Sequence, residues 1–466
     1  MQNKKIFILL PDGVGLRNFS FTNFHTIGIQ NGFDITFWNN TPFDLNELGF
    51  KEVRFNNPKT HPLTDLLKNA QTQIELNQNI KKSKDSIYNH YRFPFSYKSI
   101  KAVIKSIYIN WLIFWNNSQK GLERIRININ KQERKTKLYF DSLETLKKEK
   151  PAMVFCTNQR IMLAVAPLLA AQDLGIPTAT FIFSWDNLPK ATKIIEADFY
   201  FVWSNHMKNE LLFYYPHINQ NQIVITGTPQ FEPHFNKTLL LSKEVFFKTY
   251  QLDVNKKYVC FSGDDITTSP NDPSYLENLA LAVHELNKKG FNLGIIFRRC
   301  PVDFSDRFDE VLLKFKDCIT SINPIWEKKG EEWNTILPTK DDLILQMNTI
   351  FHSELVINLG SSMVFDYVTF NKPCAYINYD VPNPDFPNWS VKKIYNFIHF
   401  RSMPSKDSVF WINNPNEMVD VVEKMLINES VPEIANAQKW FEKINQHPPQ
   451  LASERIWNAI EEICKK

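Results

Sequence analysis

Short apolar runs alternate with amphipathic stretches along most of this chain, and that rhythm constrains the fold more than any other feature. Lys5–Leu10, Phe33–Trp38, Met153–Cys156, Thr178–Phe183, Phe199–Trp203 and Ile223–Thr226 read as buried strands. Between them lie helix-like stretches at Phe21–Gln30, at Ile161–Asp173 (stopped by Gly175-Ile176-Pro177) and from Asn205 to Tyr215. The pattern then restarts with strands at Lys257–Ser262, Gly294–Phe297 and Leu355–Leu359. Helices are expected at Leu276–Lys289, Lys340–Phe351 and Met363–Phe370. Strands that alternate with helices form parallel sheets covered on both faces, so the expected class is α/β. At 466 residues the chain exceeds one comfortable core. Two Rossmann-like domains are expected, residues 1–230 and 231–450, joined through "GTPQFEPHFNK". A last helix, residues 451–466, is expected to return to the first domain.

Several function classes are excluded early. No run approaches the roughly 18 apolar residues of a membrane span, and "IFILL" is too short for a signal-peptide core. The six cysteines are scattered and never form C-x-x-C, which suits reduced thiols in a cytoplasmic protein. The net charge of +4 conceals an asymmetry. Lys81–Phe140 holds 14 Lys and Arg against 3 Asp and Glu, a balance of +11 that leaves −7 for the rest. In that basic insertion, about residues 80–140, Ile100, Val103, Ile104, Ile107, Tyr108, Trp111, Leu112 and Trp115 recur at helical spacing. Lys98, Lys101 and Lys105 lie off the stripe, and Arg92, Arg124 and Arg126 flank it. The stripe either packs on a sheet or lies on an anionic bilayer, where each basic residue adds about 1 kcal/mol. No nucleic-acid-binding motif accompanies the charge, so no nucleic acid partner is expected.

In an open parallel sheet, ligands bind beyond the carboxyl ends of the strands. One such end is "INLGSSMVFDYVTFNKPCAYINYD" at Ile357–Asp380. Gly360 lets the backbone come close to a ligand, while Ser361 and Ser362 supply hydroxyls at a helix N-terminus suited to phosphate. Asp366, about one turn further on, is placed to accept hydrogen bonds from ribose. The same residues also fit a plain capped helix with a solvated aspartate. Arg298 and Arg299 end another strand and offer planar forks for phosphate, or surface pairs for Asp303 and Asp306. "CFSGDDITTSP" adds Gly263 and Thr267 at a third strand end. Three such ends in one half favour a nucleotide or sugar-phosphate site.

In the first half, "PDGVGLRNF" contributes Asp12, Gly13, Gly15, Arg17 and Asn18, and "SWDNLPKAT" contributes Trp185, Asp186 and Asn187. A general base would come from Asp186, Asp12 or His25. Asp186 stands first, because Trp185 and its apolar neighbours would desolvate it, although an Asx-turn explains the same residues. "DGVG" lacks the third glycine of the dinucleotide fingerprint. Neither a P-loop nor G-x-S-x-G occurs, and no His, Cys and carboxylate group has metal spacing. No metal and no cofactor are expected.

Two α/β halves, a glycine-containing loop after the first strand and the Ser-Ser/acidic loop of the second half resemble a GT-B glycosyltransferase. "GSSMVFDYVTFNKPCAYINYD" with "RRCP" is similar to the C-terminal part of CDP-glycerol glycerophosphotransferases. Cys300 stands where many of those relatives carry histidine before the proline. "SWDN", "VWSNHMKNE", "VITGTPQFEP" and the closing "ASERI" resemble bacterial surface-polysaccharide and UDP-glycosyltransferase-like proteins. The likeness covers residues 1–40 and 150–466. It implies two Rossmann-like domains around a cleft, with the acceptor in the first and a nucleotide-sugar donor, a co-substrate, in the second. It also implies metal-independent transfer to a hydroxyl of a cell-surface glycan or lipid-linked acceptor, at the inner face of the plasma membrane. A CDP-polyol phosphotransferase, a nucleotide-sugar 2-epimerase and a non-catalytic GT-B scaffold are the alternatives.

Overall fold

The structure, a computed structural model, describes residues 4–330, 335–427 and 432–465. Two compact units are present, Met1–Pro229 with Ile444–Lys466, and Gln230–Lys443.

The first unit is built on seven strands: β1 (Lys5–Leu10), β2 (Asp34–Asn39), β3 (Glu52–Arg54), β4 (Met153–Cys156), β5 (Thr178–Phe181), β6 (Phe199–Val202) and β7 (Ile223–Ile225). They pair in the order β3-β2-β1-β4-β5-β6-β7, and every pairing is parallel. The chain runs outward from β1 to β3, crosses back, and runs outward again from β4. Strand order therefore reverses between β1 and β4, opening a crevice at their carboxyl ends. The apolar run of β1 is buried because helices cover both faces of the sheet. One cover is the last helix, Ala452–Cys464. Its Trp457 stacks on Phe24 and Phe33, with ring centroids at 4.7 and 4.8 Å, and donates Nε1–H to Phe24 O at 2.7 Å. Gly28 makes room for that indole: a Cβ there would lie 2.3 Å from Trp457 Cζ2.

The crossover from β3 to β4 holds four helices, Thr64–Ser83, Ile100–Asn116, Gln119–Glu133 and Lys137–Glu149. Ser99, Ser118 and Thr136 cap the last three by accepting backbone N–H bonds. A partly buried chain of charges ties this bundle to the sheet. Arg126 lies 3.4 Å from both Glu75 and Glu196, and Lys193 lies 2.8 Å from Glu196. The apolar stripe of the insertion divides between two faces. Leu112 is buried, beside Ile109 from outside the stripe, Val103 and Tyr108 are half-buried, and Ile100, Ile104, Ile107, Trp111 and Trp115 are exposed.

The second unit has a six-stranded parallel sheet and a small hairpin. Its strands are β8 (Lys257–Ser262), β9 (Leu293–Arg298), β10 (Ile319–Ile322), the antiparallel pair β11 (Trp326–Lys328) and β12 (Ile336–Pro338), then β13 (Leu355–Asn358), β14 (Cys374–Ile377) and β15 (Phe410–Ile412). The sheet order β10-β9-β8-β13-β14-β15 reverses between β8 and β13. The two units thus repeat one plan, with one reversal each.

Local boundaries differ from the sequence expectation in instructive ways. Ser204 caps the helix Asn205–Tyr214 by accepting from Met207 N, and the helix stops one residue before Tyr215. The helix after Gly360 is only Met363–Val368, and Ser362 makes no side-chain cap bond. Among the described residues, no helix is long and apolar enough to cross a membrane.

Candidate functional site

At the reversal in the first unit, Asp12 follows β1 and Asn158 follows β4. Asn158 donates Nδ2–H to Asp12 Oδ2 at 2.9 Å, and both side chains are buried. The loops approach closely because Gly15 has no side chain: a Cβ there would meet Thr157 Oγ1 at 2.4 Å. Gly13 opens the helix Val14–Ser20, which carries half-buried Arg17 and buried Asn18. Gln159 holds the neighbouring loop. It accepts from Phe183 N at 2.9 Å and donates to Asn187 Oδ1 at 3.0 Å. Asn158 and Gln159 were missed by sequence reasoning, although their place directly after an apolar strand was the available signal.

Asp186 takes the turn-forming alternative. Its carboxylate accepts from Ser184 Oγ at 2.6 Å, from Asn187 Nδ2 at 3.0 Å and from Lys190 Nζ. Donors already meet both oxygens, so the residue anchors its loop, beside nearly buried Trp185. His25 packs edge-on against Phe50 and stacks near Phe37, in mid-strand on β2, and burial lowers its pKa. The structure brings Asp12, Gly15 and Asn187 to the loops around Asn158 and Gln159, and sets His25 among aromatic rings.

In the second unit the register of β13 on β8 pairs Val356 with Cys260 and Ile357 with Phe261. Extending it sets Asn358 beside Ser262 and Leu359 beside Gly263. Gly360 then turns the chain at φ +66°, and a Cβ there would lie 3.0 Å from Phe400 Cζ and 3.3 Å from Tyr395. Asn358 accepts from Ser361 N at 2.8 Å, and Tyr376 donates O–H to Ser361 O at 2.8 Å, so the turn is held from below. Ser361 Oγ weakly accepts from Met363 N at 3.4 Å.

The charged candidates of this unit have protein partners instead of an open anion site. Arg298 is 7% exposed, and its Nη2 donates to both oxygens of Asp342 at 2.9 and 3.0 Å. Asp342 also accepts from Ile325 N and Trp326 Nε1, and Arg298 is the main partner holding its carboxyl below the usual range against the cost of burial. Arg299 donates to Ser305 O and lies over the Phe308 ring at 5.2 Å. Asp366 is buried, with His234 Nε2 2.9 Å from its Oδ1, so it faces a histidine within its own unit where a ribose was expected. The contact is one of proximity, since Nε2 does not meet hydrogen-bond geometry. Thr267 donates to Asp265, and Gly263 donates its backbone N–H to Arg298 O at 3.0 Å.

Beside Gly263 lies an acidic group the sequence analysis passed over. Loss of solvation, then Asp272 and Asp265, push Asp264 up to about 8. Loss of solvation also pushes Asp272 up to about 7. Arg307 binds Asp303 at 2.7 Å and the carbonyls of Asp264 and Ser269.

A cavity of about 500 Å³ opens along the edge strand β15, near the carboxyl end of β14. Asn378 and Asn413 follow those strands, and Tyr395, Phe400 and Trp411 supply aromatic walls. Tyr395 and Phe400 are the same rings that pack against Gly360, so cavity and turn share a wall. A cavity of about 490 Å³ in the first unit lies past β3, two strands from the reversal. One group of metal-capable side chains comes together among the described residues: His284, Asp317 and Cys318, with ligand atoms within 4.8 Å. The distance of His284 from the other two in sequence had hidden it. It precedes β10, at the amino end of the sheet, opposite the loops described above.

The folded chain matches solved structures over its full length. The Staphylococcus aureus MnaA–UDP co-structure matches with a TM-score of 0.53 and 14% identity, covering 99% of this chain and 97% of that one. A glycosyltransferase from Rickettsia africae ESF-5 matches at 0.52 and 11%, covering 100% of both chains. The UDP-GlcNAc 2-epimerase of Methanocaldococcus jannaschii matches at 0.51 and 14%, covering 98% and 99%.

The fold is GT-B.

No family model matches the chain, and no curated protein sequence does. At such identities the likeness establishes the GT-B fold, and residue roles rest on the geometry above.

Proposed function

We propose that this GT-B chain is a glycosyltransferase: its second unit binds a nucleotide-sugar and its first unit presents an acceptor hydroxyl to Asp12. The cavity along β15 carries the reading. Half-buried Trp411 offers a face on which a base stacks, backed by Tyr395 and Phe400, and Asn378 and Asn413 offer amide donors and acceptors for its edge. The Gly360 turn, which shares the cavity wall, is the nearby place where backbone can approach a diphosphate. A UDP-sugar is the first donor to test, because S. aureus MnaA was solved with UDP. Asp12, oriented by Asn158, would take the acceptor proton as the new C1–O bond forms and the bond to the diphosphate breaks. Asp186 is the weaker candidate, since its oxygens are occupied. The acceptor would be a hydroxyl of a surface glycan or a lipid-linked sugar. No metal enters this scheme, and activity is expected to survive EDTA.

Full-length likeness to the M. jannaschii epimerase favours a second reading, 2-epimerisation of a nucleotide-sugar without an acceptor. Thermal unfolding with UDP, GDP, CDP and CMP tests the binding step. A ligand at 100 times its Kd stabilises by about 2.7 kcal/mol. A UDP or GDP shift that Trp411→Ala removes supports the site, a shift with CDP alone favours polyol-phosphate transfer, and no shift refutes nucleotide binding. Product analysis with UDP-GlcNAc then separates the chemistry. A new nucleotide-sugar formed without acceptor indicates epimerisation, and UDP release that requires acceptor indicates transfer.

A further inference from the structure

The helix Ile100–Asn116 carries two apolar faces, and only one is covered. Ile109 and Leu112 pack into the core of the first unit with Leu122, Ile125 and Ile129 of the next helix, and Ser106 donates to Ser96 O at 2.9 Å. The opposite face presents Ile100, Ile104, Ile107, Trp111, Phe114 and Trp115, between 54% and 81% exposed. At 100° per residue these six fall within an arc of about 100°, and they run for about 22 Å along the axis. Solvated helices place polar residues there. Phe93 and Tyr97, just before the helix, extend the exposed surface.

The charges around the face select its occupant. From Ser86 to Leu122 the chain has no Asp or Glu. Lys98, Lys101, Lys105 and Lys120 are exposed and make no ion pair among the described residues. The other basic neighbours are engaged: Arg92 with Gln73 and Asn77, and Arg124 with Asn116 and the Trp115 carbonyl. Unpaired lysines beside an aromatic and aliphatic strip match a surface that is apolar inside and anionic outside. Tryptophan suits the boundary between those layers, its ring in the acyl region and its N–H at the headgroups. The bundle beneath is braced by the Glu75–Arg126–Glu196 charges, so the face is displayed on a fixed support.

We propose that this face docks the protein on an anionic lipid bilayer, the six apolar side chains entering the headgroup–acyl boundary and the lysines contacting lipid phosphates. The inference stands on the helix alone and survives if the transferase reading fails.

Flotation of the full chain with vesicles tests it. Binding is expected to phosphatidylcholine vesicles with about 30 mol% phosphatidylglycerol, and to weaken at least about tenfold as NaCl rises from about 0.05 to about 0.5 M. The pair Trp111→Ser with Phe114→Ser should weaken it by a similar factor. So should Lys98→Glu with Lys101→Glu and Lys105→Glu, whose side chains are exposed and whose reversal should leave folding intact. Failure to bind anionic vesicles overturns the proposal, as does binding that neither variant changes. A dimer seen by light scattering that Trp111→Ser and Phe114→Ser convert to monomer would assign the face to a second copy instead.

Discussion

Asn158 Nδ2 donates to Asp12 Oδ2 at 2.9 Å, joining the loops after β1 and β4 where the strand order of the first unit reverses. The bond holds a carboxylate at the position where open parallel sheets bind ligands. Asp12→Asn keeps the side chain's shape and removes its basicity. Turnover is expected to fall by about 10²- to 10⁴-fold with little change in nucleotide binding. Asn158→Ala should give a smaller loss. Steady-state kinetics with a nucleotide shift assay on each variant checks both.

Arg298 belongs to the core of the second unit. Removing it leaves Asp342 buried without its bidentate partner. Arg298→Ala should therefore destabilise by about 3–5 kcal/mol. Denaturant unfolding of the variant without nucleotide measures this. A wild-type midpoint combined with lost nucleotide binding would instead return Arg298 to the phosphate.

Gly360 adopts φ +66° against Phe400 and Tyr395. Alanine there meets both a left-handed backbone penalty of about 1–2 kcal/mol and a contact at 3.0 Å. Gly360→Ala should lower the melting point and weaken nucleotide binding together, because the turn and the cavity share a wall. Gly175→Ala, also at positive φ but with nothing within 4 Å, serves as the control for backbone strain alone.

Asp264 and Asp272 are held at about 8 and about 7, chiefly by loss of solvation. Raised carboxyl values mean that the folded chain keeps protons that the unfolded chain has released. Their contribution to stability is full below the ordinary carboxylate range and declines as pH rises toward about 8. Asp264→Asn should thus stabilise at about pH 8 and flatten the dependence between about pH 6 and pH 8. Melting curves of both proteins across that range decide it.

Trp411, in the middle of β15, lines the cavity along that strand. If a base stacks there, Trp411→Ala should cost about 1–2 kcal/mol of nucleotide affinity, about 5- to 30-fold in Kd. Calorimetry with UDP gives the value directly, and an unchanged Kd would move the base elsewhere.

The architecture was legible because it follows from local chain geometry. A run such as "KIFILL" suits a strand with both faces covered, and strands that alternate with helices favour parallel pairing, so six of the seven strands of the first sheet and β8, β9 and β13 of the second were legible, whereas short β3, β10 and β15 were not. Gly360 could likewise be read as a backbone position beside a strand end. The acidic and basic partners could not. Arg298 chooses Asp342, 44 residues away, over the nearby Asp303 and Asp306, which were the local alternatives. Asp366 likewise lies against His234, 132 positions earlier in the chain. A desolvated charge must find a counter-charge wherever the packed chain brings one, and sequence spacing does not encode that meeting. The Ile100 helix shows the same division. Its helical spacing of apolar residues was plain in the sequence, but spacing alone cannot say which face a neighbour covers. That depended on the Gln119–Glu133 helix packing against Ile109 and Leu112, leaving Trp111 and Phe114 exposed.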